Sequence, residues 1–170
     1  ELGLPNTRWH TDFLLREREY GEIDPVSGAY IKDSFYKTNE SMAEICMRID
    51  HFIQKLRHKC KGKRVVVVSH GEVMWTLRLQ LEQMPQERWE ELKLSPDPRD
   101  RINNGQILHY SRRDPKTGNT DDHLNWMRSI CPNKPEWSRP EWMEIVRPTF
   151  TDKELLADVE RYPRICEFEY

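Results

Sequence analysis

The stretch Arg64-Val65-Val66-Val67-Val68-Ser69-His70-Gly71 decides how the rest of the chain is read. Four consecutive valines predict a short strand covered on both faces, the pattern of a parallel sheet interior. The apolar run stops at Ser69, a histidine stands at the strand's end, and Gly71 allows the backbone to turn. A helical stretch follows at once, with Val73, Met74, Leu77 and Leu81 on one face. Ligands of open α/β sheets bind beyond the carboxyl ends of the strands, which places His70 where chemistry is expected.

Upstream, Met42, Ile45, Cys46, Ile49, Phe52, Ile53 and Leu56 recur at helical spacing and predict an amphipathic helix capped by Thr38 or Asn39. The basic cluster from Arg57 to Lys63 suits the negative end of that helix, and Gly62 turns the chain into the valines. Helix followed by central strand is half of a βαβ unit. Downstream, Pro85 opens a short helix through Trp89 and Leu92, and Ser95-Pro96-Asp97-Pro98 ends it. A second strand is predicted over Gln106–Ser111, closed by the turn residues Asp114 to Asn119. Residues 119–150 show no period and are expected to be an irregular, tryptophan- and proline-rich tail. Thr151 and Glu154 have the spacing of a capping box, opening a last helix through Leu155, Leu156 and Val159.

Two strands are too few. A strand buried on both faces needs neighbours on both sides, because its backbone groups must all be paired. Either weak segments near the N-terminus supply the missing strands or part of the domain lies outside these residues. The second is the expectation: an α/β domain in three layers with a mostly parallel sheet flanked by helices, its N-terminal strands outside these residues. Residues 1–114 would be the C-terminal portion of that domain, and 115–170 a tail packed on it.

Composition narrows the function. The chain has 170 residues and a formal net charge of −2, with basic and acidic side chains interspersed. A dedicated nucleic-acid surface needs clustered Lys and Arg, so nucleic acid is not an expected partner. No apolar run has the length of a membrane span. Cys46, Cys60, Cys131 and Cys166 match no metal or redox spacing, and reduced thiols in the cytoplasm are the expectation.

One more stretch stands out. Phe13-Leu14-Leu15 leads into the charged run Arg16-Glu17-Arg18-Glu19-Tyr20-Gly21, and Asp24-Pro25 and Ser27-Gly28 follow, so the run reads as a loop. Leu15 to Gly21, then Asn39-Glu40-Ser41 opening a helix, then the valines with Ser69-His70-Gly71, then Asn103-Asn104-Gly105-Gln106-Ile107, resemble the histidine phosphatase (phosphoglycerate mutase-like) superfamily in order and spacing. The similarity covers roughly residues 10–113. The short spacing from Glu17 to His70 resembles the broad phosphatase branch more than the glycolytic mutases.

The resemblance implies hydrolysis or transfer of a phosphate monoester through a phosphohistidine. A first histidine, in an Arg-His-Gly motif at the end of the first strand, attacks phosphorus. Glu17 matches the acid that protonates the leaving oxygen, and His70 the second histidine that holds the phosphoryl group. Arg18, Tyr20, Gly71 and Asn104 fall where substrate or phosphate is bound. A small phosphorylated substrate is the implied partner, with no cofactor and no metal. Such chemistry is mostly positioning and charge stabilisation, and a positioned acid contributes about 10²–10⁴-fold. No Arg-His-Gly occurs in this sequence. Trp9-His10 follows no strand and does not replace it. The expectation is an acid and second histidine whose nucleophile lies upstream; the alternative is a catalytically inactive binding or scaffold module. Glu72, beside the phosphate position, is expected to point away or to pair with an arginine.

Overall fold

The computed structural model describes residues 8–21, 26–27 and 40–161. Four helices, α1 (Met42–Lys59), α2 (Gly71–Glu82), α3 (Gln86–Leu94) and α4 (Asp152–Arg161), accompany three strands, β1 (Ile107–Ser111), β2 (Trp126–Ile130) and β3 (Arg139–Glu144).

The core forms where α1 meets α2. Ile45, Ile49 and Ile53 recur on one face of α1 and bury against Val73 of α2, with Leu15, Met42, Leu77 and Leu81 packed around them. Burying such a side chain contributes about 1.5–3 kcal/mol. The residue that caps α1 is Ser41, not Thr38 or Asn39, which lie outside the described residues. Ser41 Oγ accepts from the Glu44 amide at 3.2 Å, and Glu44 Oε2 accepts from the Ser41 amide at 2.7 Å. Two orphan donors of the first turn are thus satisfied reciprocally. Pro85 caps α3, and the Thr151–Glu154 capping box expected for α4 is present.

The described sheet is antiparallel, in the order β1-β2-β3. Ile107 pairs with Ile130 and Ser111 with Trp126; Met127 pairs with Met143, and the register shifts between Met127 and Ser129. One face is turned to the helices: Met127 and Ser129 are buried, and the Tyr110 hydroxyl donates to Glu82 of α2 at 2.7 Å. Burial pushes the Tyr110 phenol well above its ordinary range, with Glu82 adding to the shift. Gln106, buried at the foot of β1, bonds Ser129 across the sheet. Gly105 enters β1 at φ 74°, and a Cβ there would meet Asn133 Nδ2 at 3.3 Å, so this turn requires glycine.

Three sequence expectations change. Residues 119–150, expected to be irregular, hold β2 and β3. Their pattern is masked by Arg128, Ser129 and Pro140, and Pro140 is tolerated because β3 is an edge strand. The mostly parallel, three-layer sheet is not found among the described residues; what they hold is α/β with a small antiparallel sheet. The valine run, finally, is not a strand. Residues 63–70 are without regular structure, and Val65, Val66 and Val68 are 45%, 80% and 80% exposed. The physical reason is pairing: no described strand lies beside the run, so neither its backbone ladder nor its side-chain faces are met.

Candidate active site

The site is assembled where the loop carrying Glu17 meets the end of the valine run. Asp12 caps the single 3₁₀ turn Phe13–Leu15, accepting from the Leu14 amide at 3.2 Å, and is itself held by Lys55 of α1. The chain bends at Arg16 and runs without regular structure through Glu17 and Arg18. The Ser69 hydroxyl donates to the Leu15 carbonyl at 2.9 Å. That bond ties the residue before His70 to the residue two before Glu17, so the two expected catalytic side chains sit on backbones held together.

Glu40 fixes the loop from the other side. Its carboxylate accepts from Arg48 Nε at 2.6 Å, from the second terminal nitrogen of Arg48 at 2.7 Å and from Arg16 at 3.1 Å. Arg48 also donates to the Leu14 carbonyl at 2.5 Å, and Arg18 Nε to the Glu40 carbonyl at 2.8 Å. The Glu40 amide donates to the Glu19 carbonyl at 2.7 Å. Arg48 and the Glu40 side chain are both mostly buried, so the pair is a charge-assisted fork of the strong kind. The hydrogen bond from Arg48, then its charge and that of Arg16, hold the Glu40 carboxyl below the usual carboxylate range against the cost of burial. Sequence reading missed this hub. Glu40 stood in a quoted motif without a role, and Arg48 lies eight residues on, a spacing that advertises no contact.

The predicted site residues divide. Glu17 is half-buried and accepts from the Arg18 amide at 2.8 Å. The Arg18 guanidinium lies 5.3 Å over the Tyr20 ring, so both are held by packing within the loop. His70 is exposed and stands at the N-cap of α2 without spending its side chain on a cap bond. Gly71 opens α2, where the first amides have no partner in the helix. Its φ is not left-handed and a Cβ there would meet nothing within 4 Å, so the sharp glycine turn expected at this point is not what the backbone does. Asn104 is exposed in the turn before β1. Glu72 does find a cation, Lys93 of α3 at 2.9 Å, in place of the arginine expected.

A separate cleft of about 350 Å³ lies between α2, α3 and the sheet, lined among others by Arg78, Glu82, Leu92, Met127, Arg139 and Met143. None of the predicted site residues lines it, and four of its charged side chains are paired, Arg78 with Glu82 at 2.9 Å and Arg139 with Asp100 at 2.6 Å. Among the described residues no group of three His, Cys, Asp or Glu side chains converges as a metal site, and no helix is long and apolar enough to cross a membrane.

A family model, the histidine phosphatase superfamily (branch 1), matches residues 4–101, more than half of the chain. The chain belongs to the histidine phosphatase superfamily. This superfamily is generally enzymatic, with phosphatase- and mutase-like activities. The match takes in Glu17, Arg18, Tyr20, His70 and Gly71 of this histidine phosphatase chain, and it ends before Asn104 and the whole β1–β3 sheet. Comparison with curated proteins and with solved structures gives no match.

Proposed function

We propose that this chain carries the proton donor and the phosphate-holding histidine of a cytoplasmic phosphate monoester hydrolase or phosphoryl transferase that works through a phosphohistidine. The observation that carries the reading is the Ser69–Leu15 hydrogen bond, which brings the Glu17 loop and His70 together within a chain of this superfamily. In the first step a histidine nitrogen of an Arg-His-Gly motif, supplied from outside the given sequence, forms a bond to phosphorus as the ester P–O bond breaks. Glu17 gives its proton to the departing oxygen. In the second step water attacks phosphorus and gives a proton back to the Glu17 carboxylate, and the P–N bond breaks to return the histidine. His70 and the leading amides of α2, beginning at Gly71, hold the equatorial oxygens throughout, where a helix N-terminus favours anions. Arg18 and Tyr20 contact the substrate from the same loop, and Asn104 approaches from the turn before β1.

The exposed valine run supports the part of the reading that lies outside this sequence. A strand bearing the nucleophile, laid beside Val65–Val68, would pair the run's backbone and bring its own end next to His70. The second reading, a catalytically inactive binding module, is favoured by one fact: the sequence holds no Arg-His-Gly. The test is His70→Ala in the natural full-length protein, assayed on a general phosphate monoester. Loss of one preorganised contact to the transition state is expected to lower kcat by about 10²–10³-fold. Full activity in that variant overturns the mechanism. A full-length wild-type protein without turnover, and without Arg-His-Gly, establishes the binding module.

A further inference from the structure

Glu72 raises an electrostatic problem for a phosphate site. It lies two residues beyond His70, in the first turn of α2, whose leading amides are to hold an anion. Residues two apart at a helix start have Cα atoms about 5–6 Å apart. The carboxylate is therefore within about 10 Å of any phosphate held there, whichever way it points. A bare negative charge at that range opposes a dianion.

The solution lies on α3. Lys93 Nζ meets Glu72 Oε1 at 2.9 Å, and the same ammonium lies 4.8 Å over the ring of Trp89, one turn earlier on α3. The Glu72 side chain is 15% exposed, while Lys93 keeps 38%. The ammonium thus has a carboxylate on one side, an aromatic face on another, and water at its outer edge. Two buried polar atoms flank it without a hydrogen-bond partner among the described residues: Glu72 Oε2 and Trp89 Nε1. Glu72 consequently depends on one cation for its neutralisation. Arg78, the cation that α2 itself carries, is committed to Glu82, and its guanidinium lies over Trp75.

We propose that Lys93 is a positioning residue of the phosphate site: it neutralises Glu72 from α3, so that the N-terminus of α2 presents net attraction to a phosphate. The inference rests on the reading of His70 as a phosphate-holding residue. It assigns α3, which contains none of the expected site residues, an electrostatic part in substrate affinity. It also gives the Trp89 ring a function, since the aromatic face keeps the ammonium in register with Glu72.

The test is a charge cycle in the natural full-length protein, read as the Kd of inorganic phosphate by calorimetry and as KM and kcat for a phosphate monoester. An uncovered carboxylate at about 8–10 Å changes phosphate affinity roughly three- to tenfold. Lys93→Met is expected to weaken phosphate by that factor and to raise KM more than it lowers kcat. Glu72→Gln is expected to bind phosphate at least as tightly as wild type. The double variant Glu72→Gln/Lys93→Met is expected to return within about twofold of wild type, although it lacks the ion pair altogether, and Lys93→Arg to remain near wild type. A Lys93→Met protein with unchanged affinity overturns the inference. So does a loss that the double variant fails to recover, because Lys93 would then only be bracing α3. His70→Ala serves as the control. If it binds phosphate as well as wild type, or if wild type binds none, the phosphate-site reading falls and this inference with it. Normal wild-type binding with a silent Lys93→Met removes this inference alone.

Discussion

The valine run and the β2–β3 pair are opposites. Residues 65–68 have the strongest strand sequence in the chain, yet Val66 and Val68 stand 80% exposed and outside any sheet. Trp126–Ile130 and Arg139–Glu144 carry an arginine, serines or a proline in or beside their pattern, yet they form an ordered antiparallel pair. The difference teaches that a strand is made by its neighbour. Valines supply β-propensity worth at most about 1 kcal/mol between residue types, and that sum depends on side chains to pack against. Arg139–Glu144 has such neighbours a few residues away in sequence, so a short connection is enough to close the pair. The valine run has none among the described residues.

The contrast can be broken most decisively at the run itself. Residues 1–170 expressed alone are expected to show no turnover and no cooperative melt, with the amides of 64–69 exchanging at nearly the unprotected rate. In the natural full-length protein those amides are expected to be slowed by orders of magnitude. A cooperative melt of the shorter chain, with protected valine amides, would remove the argument for a partner strand. Hydrogen exchange by mass spectrometry reads both outcomes.

A smaller effect sharpens the comparison from the sheet's side. Met127 is 5% exposed and faces α2 and α3, so Met127→Ala in the full-length protein is expected to cost about 2–5 kcal/mol. It should leave KM for a phosphate monoester nearly unchanged, because the cleft beneath the sheet contains no expected site residue. Denaturant titration and steady-state kinetics on one preparation settle the pair of expectations.

The smallest effect is in pH. Arg48 and Arg16 hold the Glu40 carboxyl below its ordinary range, so Glu40 binds its proton less readily folded than unfolded. Its contribution is therefore fully present above the unfolded carboxylate pKa, about 4.3, and is lost as pH falls through the lower folded value. Glu40→Gln should flatten that acid limb in a melting series. An unchanged limb would show that the fork around Glu40 does not anchor the Glu17 loop.

The candidate site is legible in the sequence only as an order of motifs. Glu17, Arg18, Tyr20, His70 and Gly71 could be named from motif order, and the family match covers all five. Asn104 belongs to the same order of motifs, but it lies beyond the family match, in an exposed turn. Glu40 and Arg48, which hold that loop, were invisible as a pair. Their contact joins the residue before a helix cap to the helix's second turn through side chains, and no periodic pattern encodes it.

The sequence by itself determined the helices. Helical spacing in Ile45, Ile49 and Ile53, Ser41 with Glu44, and Thr151 with Glu154 are local signals, since a helix closes its hydrogen bonds within its own segment. β1 was also legible, since the strand expected over Gln106–Ser111 forms at Ile107–Ser111, but the tertiary structure decided the remaining strands and the charge pairs. It made strands of Trp126–Ile130 and Arg139–Glu144, withheld that state from four valines, joined Leu15 to Ser69, and set Lys93 against Glu72. The physical reason is common to all four. A strand's backbone bonds and a charge's neutraliser come from elsewhere in the chain, so they exist only once distant segments have met.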